Sequence, residues 1–452
     1  MEEIKENKLG IDPIGKLLFT VSFPIIISML IQALYNMVDS YYIGKISEEA
    51  FTAVSIAFPL QNIMVGIAVG TGVGTNSLLS RSLGEKNFDK ANLSAENGIF
   101  LSILYGIILL ILSFVLPKYY YISQNVSQEI VNYGVEYLST IMAFSMGVFI
   151  QINCERLLQS TGRSMLTMFT QGIGALINII FDPIFIFGYF GFPAMGVKGA
   201  AIATVVGQII GALFGIYFNF KLNKDIQIKK IRPRLQIIKK IYEVGLPSIV
   251  MISVTSTTIY FLNKILSIYS TSAIAALGAY YKIQSFIFLP IFGLTNGMVP
   301  IIAYNYGAEK KKRIIKTIKL TMIVGTIMMI LGTAILWIFP EELLDIFSAS
   351  DAMKEVGITM LRIIALCFIF AGISIMGGSV FQALGNGLLT LIDAVIRNII
   401  IILPYTYIVS RIAPIEYVWW SYLLSETSSI IFVSYFMKNF AMKRIDLIKE
   451  SI

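Results

Sequence analysis

The chain has 452 residues, of which 56% are hydrophobic and only 14% charged, with a mean hydropathy of +0.77. No water-soluble domain covers that much apolar surface, so the bilayer is its solvent. The net charge of +8 suggests nucleic acid as a partner, but eight Lys/Arg crowd into 221–240 and six into 308–319, while 44–50, 118–128, 268–275 and 340–354 are nearly free of them; this is the positive-inside pattern, and it argues for topology and against nucleic-acid binding.

In chain order, residues 1–14 are polar, and the apolar run that follows is too long for a signal h-region and lacks a small-residue cleavage pattern. It is expected to remain as the first span. Spans are predicted near 16–43, 52–80, 93–117, 129–157, 165–188 and 196–220, then 241–267, 275–304, 314–339, 355–382, 387–410 and 415–438. Each is about twenty residues or longer, enough to cross roughly 30 Å of hydrocarbon at about 1.5 Å per residue. Gly and Pro inside such runs argue for helices rather than barrel strands. The expected fold is all-α and integral to the membrane, with twelve transmembrane helices in two six-helix bundles around a central cleft. An N-lobe over 1–220, a basic cytoplasmic linker over 221–240 and a C-lobe over 241–452 are the predicted divisions. The charge pattern predicts a multi-pass cell-membrane protein with both termini in the cytoplasm.

The halves repeat each other in a gap-free register of 223 residues: Pro24 recurs as Pro247, Gln61 as Gln284, Gly70 as Gly293, Gly84 as Gly307, Pro117 as Pro340 and Gly162 as Gly385. Leu and Ile matches between apolar helices carry little weight, but Pro, Gly and Gln in one register do. Such a repeat points to a transporter built from two related bundles around a central site. Six spans return the chain to its starting side, so the copies are parallel, related by an axis along the membrane normal.

Departures from the repeat need another reason. Asp39 meets Leu262 in the second copy, and Asn178 and Asp182 meet Ile401 and Tyr405, whereas Thr204 keeps its counterpart Thr427. Spans one and five run outward, and Asp39 and Asp182 each lie about four to six residues before the outer end; Ala200 and Thr204 lie four to eight residues past the start of span six. All share one depth. Asn178 and Asp182 are one helical turn apart on one face, extended inward by Gln171 and Gly174. Gln32, Tyr35, Asn36 and Asp39 form a polar stripe at helical spacing. Pro183 cannot donate a backbone hydrogen bond and leaves the Ile179 carbonyl under-satisfied nearby. Carboxylate, amide, hydroxyl and carbonyl oxygens suit a hard cation, and an acid at membrane depth, costing roughly 2.5–3.5 kcal/mol on insertion scales, marks a functional site by default. The paired carboxylates would titrate together, exchanging protons or holding a sodium ion. The alternative is that both acids reach interfacial water.

These residues carry a resemblance. The Pro24 span ending in Asn-Met-Val-Asp-Ser-Tyr-Tyr-Ile-Gly (36–44), Arg-Ser-Leu-Gly-Glu-Lys (81–86) with its echo Tyr-Gly-Ala-Glu-Lys (306–310), Gln-Ser-Thr-Gly-Arg (159–163) and the Asn178…Asp182-Pro183 segment together resemble the multidrug and toxic compound extrusion (MATE) family over essentially the whole chain. The resemblance implies a cation-coupled antiporter that expels amphipathic, often cationic organic compounds. It places the coupling cation, H⁺ or Na⁺, at Asp39, Asn178, Asp182 and Thr204, with Ala200 giving a carbonyl, and makes Pro24 the residue at which the first helix bends. The sodium-driven NorM-type branch also carries an acid in the seventh span. Here 241–267 holds only Glu243, at its inner edge, so the pattern looks closer to the DinF-like branch.

Substrate contacts are expected at Gln32, Tyr35, Asn36, Met37, Gln61, Met64 and Asn153, since Met in particular tolerates varied ligands. Asp393 and Arg397, one turn apart, read as an internal ion pair; Glu155 and Arg156 read as an interfacial pair at the inner end of span four; Lys264, Lys282 and Glu426 either line the cleft or snorkel. No cofactor and no metal beyond a coupling Na⁺ is expected, since Cys154 and Cys367 both lie in apolar runs and there is no histidine. The expected partners are small organic drugs and the lipid bilayer, with the protein a monomer. The alternative transporter is a lipid-linked precursor flippase of the related superfamily, which would favour a cationic cavity for a pyrophosphate headgroup. An integral-membrane enzyme would need a cluster of catalytic residues at one interface, and no activated nucleophile or metal-ligand spacing occurs.

Overall fold

The computed structural model describes residues 7–124, 126–347 and 349–448, and among these the regular structure is entirely helical. In the first half the spans are α1 (Ile14–Gly44), α2 (Glu48–Gly84), α3 (Phe88–Ser113), α4 (Gln128–Ala143 with Met146–Ser160), α5 (Ser164–Phe187) and α6 (Gly196–Lys221). In the second they are α7 (Leu235–Leu266), α8 (Thr271–Gly307), α9 (Lys311–Ile338), α10 (Asp351–Ala365 with Phe368–Ala383), α11 (Gly387–Ile412) and α12, which starts at Trp420. Twelve spans in two bundles is the expected fold.

The duplication extends to local detail. Ser47 and Ser270 cap α2 and α8 alike, each side chain accepting from the backbone N–H three residues on. A short helix opened by Pro117 follows α3, and its image opened by Pro340 follows α9. Spans α4 and α10, each expected as one span, are bent at the same place, by 47° at residues 144–145 and by 51° at 366–367. Span α11 widens into a π turn over Ile396–Ile402, just before Pro404. The proline ring would clash with the carbonyl four residues back and cannot donate to it, and the wider turn relieves both problems.

Asn7, the segment 222–234 and the helical turn at Asp446 lie on one side of the molecule, called the linker side below. Here the bundles meet through glycine. A Cβ at Gly70 would come within 2.5 Å of Ile249 Cγ1 and 2.8 Å of the Gly245 carbonyl; at Gly293, its repeat image, it would overlap Ile26, the image of Ile249. At the bundle ends a Cβ on Gly84 would overlap the Tyr304 carbonyl, and one on Gly307 the Arg81 carbonyl, again an image pair. Small residues thus let α2 lie on α7 and α8 on α1 with backbones nearly touching. Ser77 adds a hydrogen bond across the seam to the Gln382 carbonyl at 2.8 Å. Gly307→Val is expected to lower the thermal midpoint in detergent by an overpacking cost of about 1–3 kcal/mol. Gly278→Val, where a Cβ meets open space, should leave it unchanged; equal midpoints for the two variants would contradict the seam.

Candidate functional site

Within the first bundle α1, α2, α4, α5 and α6 line a cavity of about 70 Å³, with Gln32, Tyr35, Gln151, Gln171, Asn178 and Thr204 on its wall. Its shape comes from glycine. Gly174 of α5 and Gly207 of α6 face each other, and a Cβ on Gly207 would lie 2.6 Å from the Gly174 carbonyl, one on Gly174 2.9 Å from that of Gly207. The close crossing brings the polar side chains of both helices to one level. Asn178 Nδ2 donates to Asp182 Oδ1 at 3.2 Å along α5 and to Thr204 Oγ1 at 3.3 Å across to α6. Asp182 is fully buried and Asn178 nearly so, and Ala200, one turn before Thr204 on α6, is buried as well.

Asp39, one turn beyond Tyr35 on α1, lies within electrostatic reach of Asp182, Tyr35 and Tyr137. Asp39 Oδ1, Asn178 Oδ1, Asp182 Oδ2 and Gln171 Oε1 are all enclosed without a hydrogen-bond partner. Buried oxygens without donors are rare in folded proteins. The first three form an oxygen set that a proton or a hard cation would satisfy, while Gln171 lies two turns further inward than Asn178 on α5. The set fits a transported cation; among the described residues no cluster of three His, Cys, Asp or Glu offers a transition-metal site.

The remaining expectations divide. Gln32 and Tyr35 line the cavity. Asn36 and Met37, on the same helix, are exposed and are not part of its wall. Gln61 donates to the Tyr137 hydroxyl at 3.2 Å and ties α2 to α4. Met64 packs in the apolar core with Ala57 and Leu138, because its face of α2 is turned into the bundle. Asn153 is buried against Gly98 and Thr75, so neither Met64 nor Asn153 reaches the cavity. Pro24 and Pro183 both lie within continuous helices, and Ser28 donates to the Pro24 carbonyl at 2.8 Å.

Two polar side chains of the cavity wall, Gln151 and Gln208, were missed by pattern. Gln208 is one turn from Thr204 on α6, a spacing that could have found it. Gln151 leads to a larger correction: its amide donates to Glu155 Oε1 at 3.1 Å, and Glu155 is buried. Glu155 is no interfacial partner of Arg156. Adjacent residues on a helix point apart, and Arg156 instead donates to Gln159 Oε1 at 3.0 Å and, across the seam, to Asn296 Oδ1 at 3.1 Å.

The second bundle holds a different polar cluster. Arg397 pairs with Glu426 at 3.0 Å and lies 3.9 Å from Asp393, which accepts from Ser429 at 2.7 Å. The ion pair expected between Asp393 and Arg397 is present, and Glu426 joins it, while Lys264 and Lys282 are exposed. Removing one partner of a buried pair strands the others, so Arg397→Met is expected to destabilise by roughly 3–5 kcal/mol. Thermal unfolding checks this, and a midpoint equal to that of Lys264→Met would refute it.

The family model MatE matches residues 24–184 and again 247–408, once in each half. Multidrug export protein MepA of Staphylococcus aureus (strain NCTC 8325 / PS 47) is 28% identical over 421 residues, spanning 92% of this chain and 91% of the relative. Its namesake from Staphylococcus saprophyticus is 27% identical over 414 residues, 90% of this chain and 89% of the relative. Among solved structures, one described as the outward-facing conformation of a multidrug resistance MATE family transporter superposes with a TM-score of 0.89 at 23% identity, covering 100% of both chains. A MATE structure in the straight conformation gives 0.90 at 23% identity over 99% of each chain. With both halves matched by the family model and two six-helix bundles in place, this chain belongs to the MATE family of multidrug and toxic compound extrusion transporters, and it is not an enzyme.

Proposed function

We propose that this protein is a cation-coupled antiporter that exports amphipathic, often cationic organic compounds by alternating access. The observation that carries the reading is the set of unpartnered oxygens on Asp39, Asn178 and Asp182, enclosed in the N-lobe and without counterparts in the repeat. Drug export by the MepA relatives, which span nine-tenths of this chain, supports the substrate class. The coupling cation, H⁺ or Na⁺, is cargo: Asp39 and Asp182 supply the charge, Asn178 and Thr204 orient the carboxylate, and Ala200 offers a carbonyl. No cofactor takes part.

The working units are an N-lobe over 1–220, a linker over 221–240 and a C-lobe over 241–452, acting as a monomer. The basic linker side is the cytoplasmic side, so the bundles, packed along that side, leave the cleft open to the exterior. Cation binding from outside changes the bend of α1 at Pro24 and favours drug release. With Glu243 as the only acid in α7, the DinF-like branch is the better placement. The buried carboxylates of Asp39 and Asp182, with no basic group on the N-lobe cavity wall, disfavour a pyrophosphate-linked lipid as cargo.

Proteoliposomes loaded with a fluorescent cationic dye test the proposal. Efflux should run under an imposed pH or sodium gradient and collapse when that gradient alone is dissipated, which names the ion. Undiminished efflux with both gradients abolished would overturn cation coupling.

A further inference from the structure

Ahead of α1 the chain makes a single helical turn, Lys8–Ile11, capped by Asn7, whose side-chain oxygen accepts from the Leu9 N–H. This turn fills the notch where the bundles meet on the linker side, and its contacts divide between them. Towards the first bundle, Asn7 Nδ2 donates to Asp225 Oδ1 at 2.8 Å and to the Thr161 carbonyl at 3.3 Å, and Arg163 holds the other Asp225 oxygen at 2.9 Å. Towards the second, Asn305 Nδ2 and Arg313 Nη2 both donate to the Leu9 carbonyl, at 2.9 and 3.0 Å. Arg313 also donates to the Asp12 carbonyl at 2.8 Å, and Lys310 Nζ to that of Gly10 at 2.9 Å.

Leu9 is fully buried in an apolar cluster with Leu83 and Leu157 of the first bundle and Ile301 and Ile314 of the second. Gly162 passes beneath it in the left-handed region, with φ +77, where a Cβ would lie 2.8 Å from Lys8 Cε. The glycine provides both the turn and the space.

On the alternating-access reading above, we propose that Asn7–Asp12 is a latch: it clamps the linker-side ends of the two bundles together and must release Asn305, Lys310 and Arg313 before the cleft opens to that side. A one-turn helix has no internal donors for its last carbonyls, so they bond either to the second bundle or to water. Exchanging a protein donor for water changes the free energy little, which makes the polar contacts reversible. Leu9 loses its apolar surroundings on release, and that biases the latch towards closed. Asn7–Asp12 is continuous with α1 through Pro13, so it moves with the first bundle and parts from the second.

The test uses the full-length protein in detergent with a reporter, Ser77→Cys, at a buried seam position. Cys154 and Cys367 are buried and stay in place, and their background labelling is measured in the protein without the reporter. The maleimide labelling rate at residue 77 reads how often the seam parts. Leu9→Ala is expected to raise it about tenfold, since losing a buried Leu side chain costs at least the ~1.4 kcal/mol that makes a factor of ten. Lys310→Met, at a half-buried position where folding is not at stake, should raise it several-fold, and Lys310→Arg, which keeps a donor, should restore the parent rate. Labelling of Lys310→Met and Leu9→Ala at the parent rate overturns the latch. Faster labelling supports the latch whether or not the reconstituted parent moves dye, so a failure of transport overturns the functional reading alone.

Discussion

Asp182→Asn is expected to abolish gradient-driven efflux while the protein stays folded and still binds its substrates. The exchange is nearly isosteric, and the oxygen that accepts from Asn178 is retained; only the buried charge behind Asn178 is lost. In one-for-one exchange of a cation for a cationic dye no net charge crosses, so a tenfold gradient of the coupling ion, worth about 1.4 kcal/mol, sustains about a tenfold dye ratio. That ratio should vanish in the variant and leave passive equilibration. Dye efflux from proteoliposomes, dye binding by fluorescence anisotropy and the thermal midpoint separate the three properties. Asp39→Asn should behave alike. Efflux within twofold of the parent in both variants would remove the carboxylates from the coupling step.

The second large effect is expected at a residue with no polar group. Gly207→Val places a side chain where the Gly174 carbonyl is 2.6 Å away and Asn178 Cβ 3.3 Å away. The helices must separate by more than the slack in the 3.3 Å bond between Asn178 and Thr204, and that bond then passes beyond hydrogen-bonding range. Transport is expected to fall by at least about tenfold, with about 1–3 kcal/mol lost from stability through overpacking. Thr204→Val separates the two causes: it removes the hydroxyl without moving a helix, and should lower transport while leaving the thermal midpoint near the parent value. Parent-level transport in Gly207→Val would mean that the α5–α6 crossing does not set the site.

The duplicated scaffold was legible because Pro, Gly and Gln are rare enough in apolar helices to reveal a register. Asp39, Asn178, Asp182 and Thr204 were legible because helical spacing puts charged and polar groups on one face at one depth. Sequence patterns fail where direction matters. Met64 and Asn153 lie on polar or adaptable stretches, but which face of α2 or α4 turns to the cavity depends on packing against other helices. Glu155 and Arg156 look like a pair in one dimension and point to different partners in three. The bends in α4 and α10 involve no proline, and nothing in the local sequence announces them. The reach of Glu426 to Arg397 spans two helices, beyond any local pattern.

The glycine contacts between the bundles occur as image pairs, Gly70 with Gly293 and Gly84 with Gly307, and this has a mechanical consequence. A rocking motion about the pseudo-twofold axis strains both members of a pair equally, so neither contact can be opened first as a weak point. Partly parted states, with one half of the seam open to water and the other shut, give up the close backbone packing of one pair while the other still holds. On the alternating-access reading proposed above, the seam then behaves as a two-position closure, its halves opening and shutting together because one repeat built both.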